Sequence, residues 1–206
     1  MKKKYTVGIS CIGSGVGQSV INSLRHSRLP LRTVGLGTNP FAYGAYDCDI
    51  YDYTETIYAS DYIDDLLEKC KNHDIHLVIP GLDDEALIFA QNKDRYESAG
   101  VKAIYASEEL ISLCRDKERM SRDLNPIADV FVKCYDKNTL QEKIKSGTIK
   151  FPLIAKPRGG FASRGIEILL DKADLRKIND EHIVQELAVP QKGDPNRDIN
   201  LKQIDQ

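Results

Sequence analysis

From Tyr5 to about Ser107, short β-branched runs alternate with stretches of helical periodicity, and that alternation leaves the chain few folds to choose from. Tyr5–Ser10, Arg32–Leu36, His76–Pro80 and Val101–Ala106 read as strands. Between them, Gln18–Arg25 reads as a helix after a glycine turn, and Tyr62–Cys70 places Ile63, Leu66, Leu67 and Cys70 on one helical face. A further helix is expected from Asp83, as its cap, through Leu87, Ile88 and Ala90 towards Tyr96, with Gly100 ending it. Repeated β-α-β-α order predicts an α/β domain with a parallel, doubly wound sheet and helices on both faces.

After Ala106 the order changes. Ser107-Glu108-Glu109 opens a helix that carries Leu110, Ile111 and Leu113 inward and runs through Lys117 to Leu124, where Asn125-Pro126 breaks it. Next come a strand at Asp129–Cys134, a helix around Asn138–Ser146, a strand at Phe151, a glycine-rich loop and a strand at Ile166. A helix near Ala173–Ile178 and a strand at His182–Leu187 follow. Two adjacent strands joined by one loop predict an antiparallel pair, hence a second domain of α+β type. The expected division is 1–115 and 116–206, and a chain of 206 residues with 41% apolar content has enough material for both cores.

Charge excludes some partners. Lysine plus arginine number 29 against 31 acidic residues, so no global field favours nucleic acid or a membrane, and any anion site must be local. Five cysteines, at 11, 48, 70, 114 and 134, form no Cys-x-x-Cys and predict reduced thiols in a cytoplasmic protein. The Met1-Lys2-Lys3-Lys4 start is followed by an apolar stretch broken at Gly8, Gly13 and Gly15, unlike a signal peptide, and no run reaches membrane-spanning length.

The segment from Phe151 to Leu169 concentrates the anion chemistry. Lys156 ends an apolar strand, and Pro157-Arg158-Gly159-Gly160-Phe161-Ala162-Ser163-Arg164-Gly165 leads into a second strand instead of a helix. That rules out a P-loop, which needs a helix after its glycines and a Gly-Lys-Ser/Thr ending. Backbone N–H groups, a point-charge lysine and two guanidiniums suit a triphosphate, while the bland alternative is a hairpin with a solvated turn.

Gly13-Ser14-Gly15-Val16-Gly17 occupies the place of a dinucleotide-binding turn. The third position of the Gly-x-Gly-x-x-Gly frame is Gln18, however, and Gly35-Leu36-Gly37-Thr38-Asn39 brings no acid to hold a ribose. A NAD(P)-dependent oxidoreductase is therefore the weakest of the functional alternatives. The glycines are expected to allow tight packing or to line a cleft, with Gln18 and Ser19 at a helix start able to take a small anion. Asp83-Asp84-Glu85 reads as a cap and first-turn acids, and His73 with His76 as a solvated turn with too few ligands for a metal.

Taken in order, these stretches resemble the ATP-grasp superfamily, in particular carbamoyl-phosphate synthase large-subunit-like proteins with an N-terminal Rossmann-like pre-ATP-grasp domain. Ile12–Val20 is similar to the first turn of that domain and Ile79–Leu87 to its third strand-to-helix crossing. Cys114-Arg115-Asp116-Lys117 resembles the opening of the grasp domain, Phe151–Arg158 its lysine strand, and Val184-Gln185-Glu186-Leu187 its adenine hinge.

The resemblance implies an ATP-dependent carboxylate–amine ligase. Lys117 and Lys156 would touch the phosphates from two sides, and Arg158, Gly159, Gly160, Ser163, Arg164 and Gly165 would close over them. Gln185, Glu186 and Leu187 would face adenine, with the Glu186 carboxylate accepting from the exocyclic amine, and Asp194 would reach the ribose. ATP and Mg2+ are the implied cofactors, and a small carboxylate and an amine the implied substrates. Family members hold magnesium with a Glu and a Glu-x-Asn-type pair beyond the hinge, and nothing after Leu187 supplies them before Gln206. The expectation is thus an incomplete grasp domain, completed by a longer chain, a complementing chain or a homo-oligomer, or else a non-catalytic nucleotide-binding or subunit-interaction module.

Overall fold

A computed structural model describes residues 5–128, 130–160 and 164–187. Contacts divide the chain into two compact units, Met1–Ser112 and Leu113–Gln206.

The N-terminal unit is built on β1 (Tyr5–Ile9), β2 (Leu31–Gly37), β3 (Ile50–Tyr53), β4 (Leu77–Ile79) and β5 (Lys102–Ala103), all parallel, in the order β3-β2-β1-β4-β5. Its helices are α1 (Gly15–His26), α2 (Tyr62–Asn72), α3 (Asp83–Gln91) and α4 (Lys93–Ser98). The chain runs outward from β1 to β3 and then returns to the other side of β1. That reversal leaves a crevice at the carboxyl ends of the strands.

Both sheet faces are covered, which explains why β1 and β2 read as near-continuous apolar runs and not as alternating ones. On one side Ile9 and Ile21 pack with Ile12, while Val34, Leu36 and Val78 meet Tyr62, Leu66 and Phe89 in the larger cluster. Strand β3 escapes the sequence reading. It pairs along β2 from Val34↔Ile50 to Gly37↔Tyr53, but an aspartate among only four residues hides its character.

Two helices expected to be continuous are broken. Asn92 separates α3 from α4, and Asp116, in extended conformation, separates α5 (Glu108–Arg115) from α6 (Lys117–Leu124). Helix α1 starts at Gly15, three residues earlier than expected, because Ser14 caps it by accepting from the Gly17 N–H at 2.9 Å. Gln18 therefore lies past the helix start, donating to Asp47 at 3.2 Å.

The C-terminal unit carries an antiparallel sheet in the order β6-β9-β7-β8: β6 (Cys134–Tyr135), β7 (Leu153–Pro157), β8 (Glu167–Leu169) and β9 (His182–Glu186). Strand β6 is shorter and later than the expected Asp129–Cys134, and a 3-10 helix at Lys172–Lys177 takes the place of the expected helix near Ala173. Helix α7 (Lys137–Lys145) covers one face, where Leu140, Leu153, Ala155, Leu169 and Val184 are buried together. The other face of β7 carries Ile154 and Lys156.

Among the described residues, no helix is long and apolar enough to cross a membrane.

Candidate functional site

Strand alternation fixes which residues can share a face. Along β7, Leu153 and Ala155 turn into the core, so Ile154 and Lys156 turn the other way. Antiparallel pairing places Ile183 opposite Lys156, Gln185 opposite Ile154, and Cys134 opposite Gln185. These five residues form one face. Glu186 is paired with Leu153 and so belongs to the core-side face, where its charge acts on Tyr135. The Lys156 face thus carries Gln185 and not Glu186. Leu187, half-buried, follows the strand directly.

Lys117 is brought to the loop after β7 from α6. Its Nζ donates to the Gly160 carbonyl at 3.2 Å, and its backbone N–H to the Arg158 carbonyl at 3.3 Å. Partial burial, the neighbouring Lys156 and Arg115 push the Lys117 ammonium below the usual lysine range. A cation from α6 thus reaches the loop that follows Lys156, near enough to feel its charge. The cost of placing them together falls when an anion arrives.

Arg158 does not point at that position. Its Nε donates to Asp116 Oδ1 at 2.9 Å, its Nη2 to Asp116 Oδ2 at 2.7 Å, and its Nη1 lies 3.0 Å from Glu118 Oε2. The guanidinium closes as a fork on Asp116, because a planar guanidinium and a carboxylate match in two parallel hydrogen bonds. The Arg158 bonds, followed by smaller contributions including the Arg119 N–H, hold the Asp116 carboxyl below the usual carboxylate range, against partial burial.

Gly159 has open space around it, while Gly160 (φ +140°) and Gly165 (φ +67°) adopt conformations that side chains resist. Arg164 is exposed in the turn before β8. Ser163 and Asp194 lie outside the described residues.

The N-terminal unit has its own crevice. A cleft of about 430 Å³ opens at the carboxyl ends of the first strands, lined by Ser14, Thr38, Asn39, Thr54, Glu55 and Thr56 among others. Glycines let the backbones beside it touch. A Cβ on Gly17 would come within 2.9 Å of the Cys11 carbonyl oxygen, and one on Gly81 within 2.5 Å of that of Ser10.

Beside Gly81 sits Glu85, fully buried, which sequence reading assigned to an ordinary first helical turn. It accepts from the Gly81 N–H at 2.8 Å and from the Tyr62 hydroxyl. Burial raises its pKa, opposed by hydrogen bonds from Ser10, Tyr62, Gly81 and Cys11. Asp83 does not cap α3 with its side chain; the preceding Leu82 holds the cap position without one. The two histidines are pinned apart, His73 to Asp52 at 2.8 Å and His76 to the Thr6 N–H at 3.3 Å.

Residues 9–104 match the PylC-like N-terminal domain family. The chain is also similar to the carbamoyl phosphate synthase large chain of Vibrio vulnificus, at 30% identity over 88 residues, or 42% of this chain and 8% of that one. Over residues 9–104 the N-terminal unit is similar to that PylC-like domain.

The fold likeness extends further than the sequence match. A Staphylococcus aureus N5-carboxyaminoimidazole synthetase in complex with ADP superposes with a TM-score of 0.67 at 17% identity, over 93% of this chain and 50% of that one. The biotin carboxylase domain of Hydrogenobacter thermophilus 2-oxoglutarate carboxylase, bound to MgADP, ADP and bicarbonate, matches with a TM-score of 0.61 at 18% identity over 88% of this chain. The chain spans 44% of that protein, and half or less of each relative named here. The likeness of fold thus takes in both units.

Proposed function

We propose that the C-terminal unit is the nucleotide-binding portion of an ATP-grasp ligase, with the triphosphate held between Lys117 and Lys156. The supporting observation is the reach of Lys117 to the glycine loop that follows Lys156, with the Lys117 ammonium destabilised by burial and by its neighbour. A bound polyphosphate reverses both costs, since it supplies negative charge at close range. Adenine would then lie along the face that carries Gln185, against the backbone of Glu186 and Leu187.

The reaction this site serves is carboxylate activation. A carboxylate oxygen attacks the γ-phosphorus, ADP leaves, and an acyl phosphate forms; an amine then attacks the acyl carbon and inorganic phosphate leaves. Catalysis of the first step consists mainly of alignment and charge neutralisation. The polar cleft of the N-terminal unit, whose one charged lining residue is Glu55, suits a small polar substrate better than a phosphate.

Magnesium would arrive with the nucleotide. Among the described residues no cluster of His, Cys, Asp or Glu is arranged to hold a metal, and Asp116 and Glu118 are engaged by Arg158. No step through a metal is therefore assigned to these residues.

Thermal unfolding with Mg-ATP and, separately, NAD(P) tests the reading, because a ligand that binds only the folded state raises its stability. A rise with Mg-ATP that disappears in Lys156→Ala supports it. No rise with either nucleotide points to a subunit-interaction module, and a rise with NAD(P) alone points to an oxidoreductase.

A further inference from the structure

Arg158 is tied to the start of α6 by every nitrogen of its guanidinium. Nε and Nη2 engage Asp116, and Nη1 engages Glu118, while the main chain adds Lys117 N–H to Arg158 O at 3.3 Å and Arg158 N–H to Glu181 O at 2.8 Å. Asp116 works twice: its Oδ1 also accepts from the Arg119 N–H at 3.0 Å and so caps α6. The residue between Asp116 and Glu118 is Lys117. Whatever fixes its two neighbours fixes the direction in which its side chain leaves the helix.

We propose that Arg158 is a positioning residue that, through Asp116 and Glu118, aims the Lys117 ammonium at the loop beside Lys156 and does not itself grip a phosphate. The role of the lysine pair in this inference rests on the nucleotide reading above. Three geometric facts carry the inference. The guanidinium fork is already filled by carboxylates, so a phosphate would have to displace them. The carboxylates flank Lys117 in sequence and hold the first turn of α6, the element from which Lys117 projects. Lys117 Nζ reaches Gly160 O, two residues past Arg158, so the same short segment receives both the brace and the braced cation.

Without the brace, like-charge repulsion and side-chain entropy would let Lys117 swing into solvent. The groups facing it are Lys156 on β7, Arg115 at the end of α5, Asp116 at the cap and Cys134 on β6. Only Asp116 and Cys134 among them favour its charged form. A misplaced ammonium loses most of its value to a phosphate, because electrostatic positioning depends on ångström-scale geometry.

The decisive variant is Asp116→Asn, which keeps a side chain able to cap α6 but removes the charge that holds Arg158. If Arg158 is a brace, D116N and R158Q each weaken Mg-ATP binding about tenfold, and the double variant is no weaker than the weaker single one. If Arg158 binds phosphate directly, D116N frees the guanidinium and binding is unchanged or tighter, and the inference is overturned. R158K, which keeps the charge and loses the fork, should bind like R158Q and not like the parent.

A second readout needs no nucleotide. In reductively 13C-methylated protein, with the Lys117 signal assigned by Lys117→Arg, the Lys117 titration should lie below the ordinary lysine range and return to it in R158Q. A titration unmoved by R158Q sinks the brace, even if ATP binds. Failure of the parent chain to bind Mg-ATP would instead sink the nucleotide reading, and the lysine titration would still decide the brace. Unchanged thermal midpoints in the variants exclude unfolding as the cause.

Discussion

The two glycine-rich turns of this protein, Cys11–Gly17 after β1 and Pro157–Gly165 after β7, look alike in sequence and do opposite things. In the first, glycine is required by closeness: a methyl at Gly17 would press on the Cys11 carbonyl, and the facing Gly81 is closer still to Ser10. In the second, the close approach is to a side chain and not to backbone, that of Gly165 to the Pro157 ring. Gly159 faces open space, and the other glycines serve backbone conformations with positive φ. The charges differ as well. The first turn carries no cation, whereas the second follows Lys156 and receives Lys117 from another element. A glycine cluster thus marks either a seam where backbones touch or a loop that must turn freely, and its neighbours tell which.

The largest expected contrast comes from adding one methyl to the segment that faces the first turn and one to the second turn. Gly81→Ala should destabilise the N-terminal unit by about 3 kcal/mol, because the contact is backbone on backbone and cannot relax cheaply. Gly159→Ala should stay within about 0.5 kcal/mol of the parent. Urea denaturation followed by far-UV circular dichroism, with hydrogen exchange in β1 and β4 to locate the loss, measures both. Equal effects would end the comparison.

Next in size is Glu85, beneath the first turn. Glu85→Ala strands the Tyr62 hydroxyl and the Gly81 N–H in the core and should cost about 2 kcal/mol. Its pH signature is more specific. Because burial raises the folded-state pKa, the folded protein keeps this proton at pH values where the unfolded chain has lost it. Stability from this group is full below the ordinary glutamate range and falls as pH rises through the folded value. Glu85→Gln, which cannot titrate, should flatten that fall; an identical pH profile in the variant would contradict the assignment.

Asp116 gives the opposite sign in the second region. Its folded-state pKa is lowered, chiefly by Arg158, so its contribution is present above the ordinary aspartate range and lost as pH falls through the folded value. In Arg158→Gln the acid limb of the unfolding profile should become shallower. A limb unaffected by that substitution would show that the ion pair does not persist in solution.

The smallest expected effect is at the cap of α1. Ser14→Ala removes the acceptor for the Gly17 N–H and the donor to the Gly81 carbonyl, bonded at 2.7 Å. A loss of about 1 kcal/mol is expected from the cap. Chemical denaturation resolves it, and no loss would mean that water replaces the serine at no cost.

The fold was legible where periodicity is strong. Strands β1, β2 and β4 and helix α2 announce themselves because the strands read as apolar runs and the helix has regular apolar spacing. Strand β3 was not legible, since an edge strand with Asp52 among four residues has no apolar run to show. The break at Asp116 was hidden for another reason. Helical periodicity continues across it, and only its use as a cap and ion-pair partner reveals the interruption. For the candidate site, the sequence brought forward Lys117, Lys156 and the glycine loop by residue type and order. It could not show the bonds of Arg158 to Asp116 and Glu118, because a guanidinium near a glycine loop reads the same whether it faces a phosphate or a carboxylate. The face of Glu186 was hidden too: only the register shows that strand alternation places it on the side of Leu153.

What the sequence determined by itself is the pattern of elements, the nearly balanced charge and the presence of a cation-bearing glycine loop between two strands. These follow from local chemistry and periodicity, which neighbouring residues encode together. The tertiary structure alone decided the partners: Lys117 at the Gly160 carbonyl, Arg158 on Asp116 and Glu118, and Glu85 buried against Tyr62. Each joins groups that chain folding brings together from distant positions, where burial and charge set the outcome and no local signal carries it.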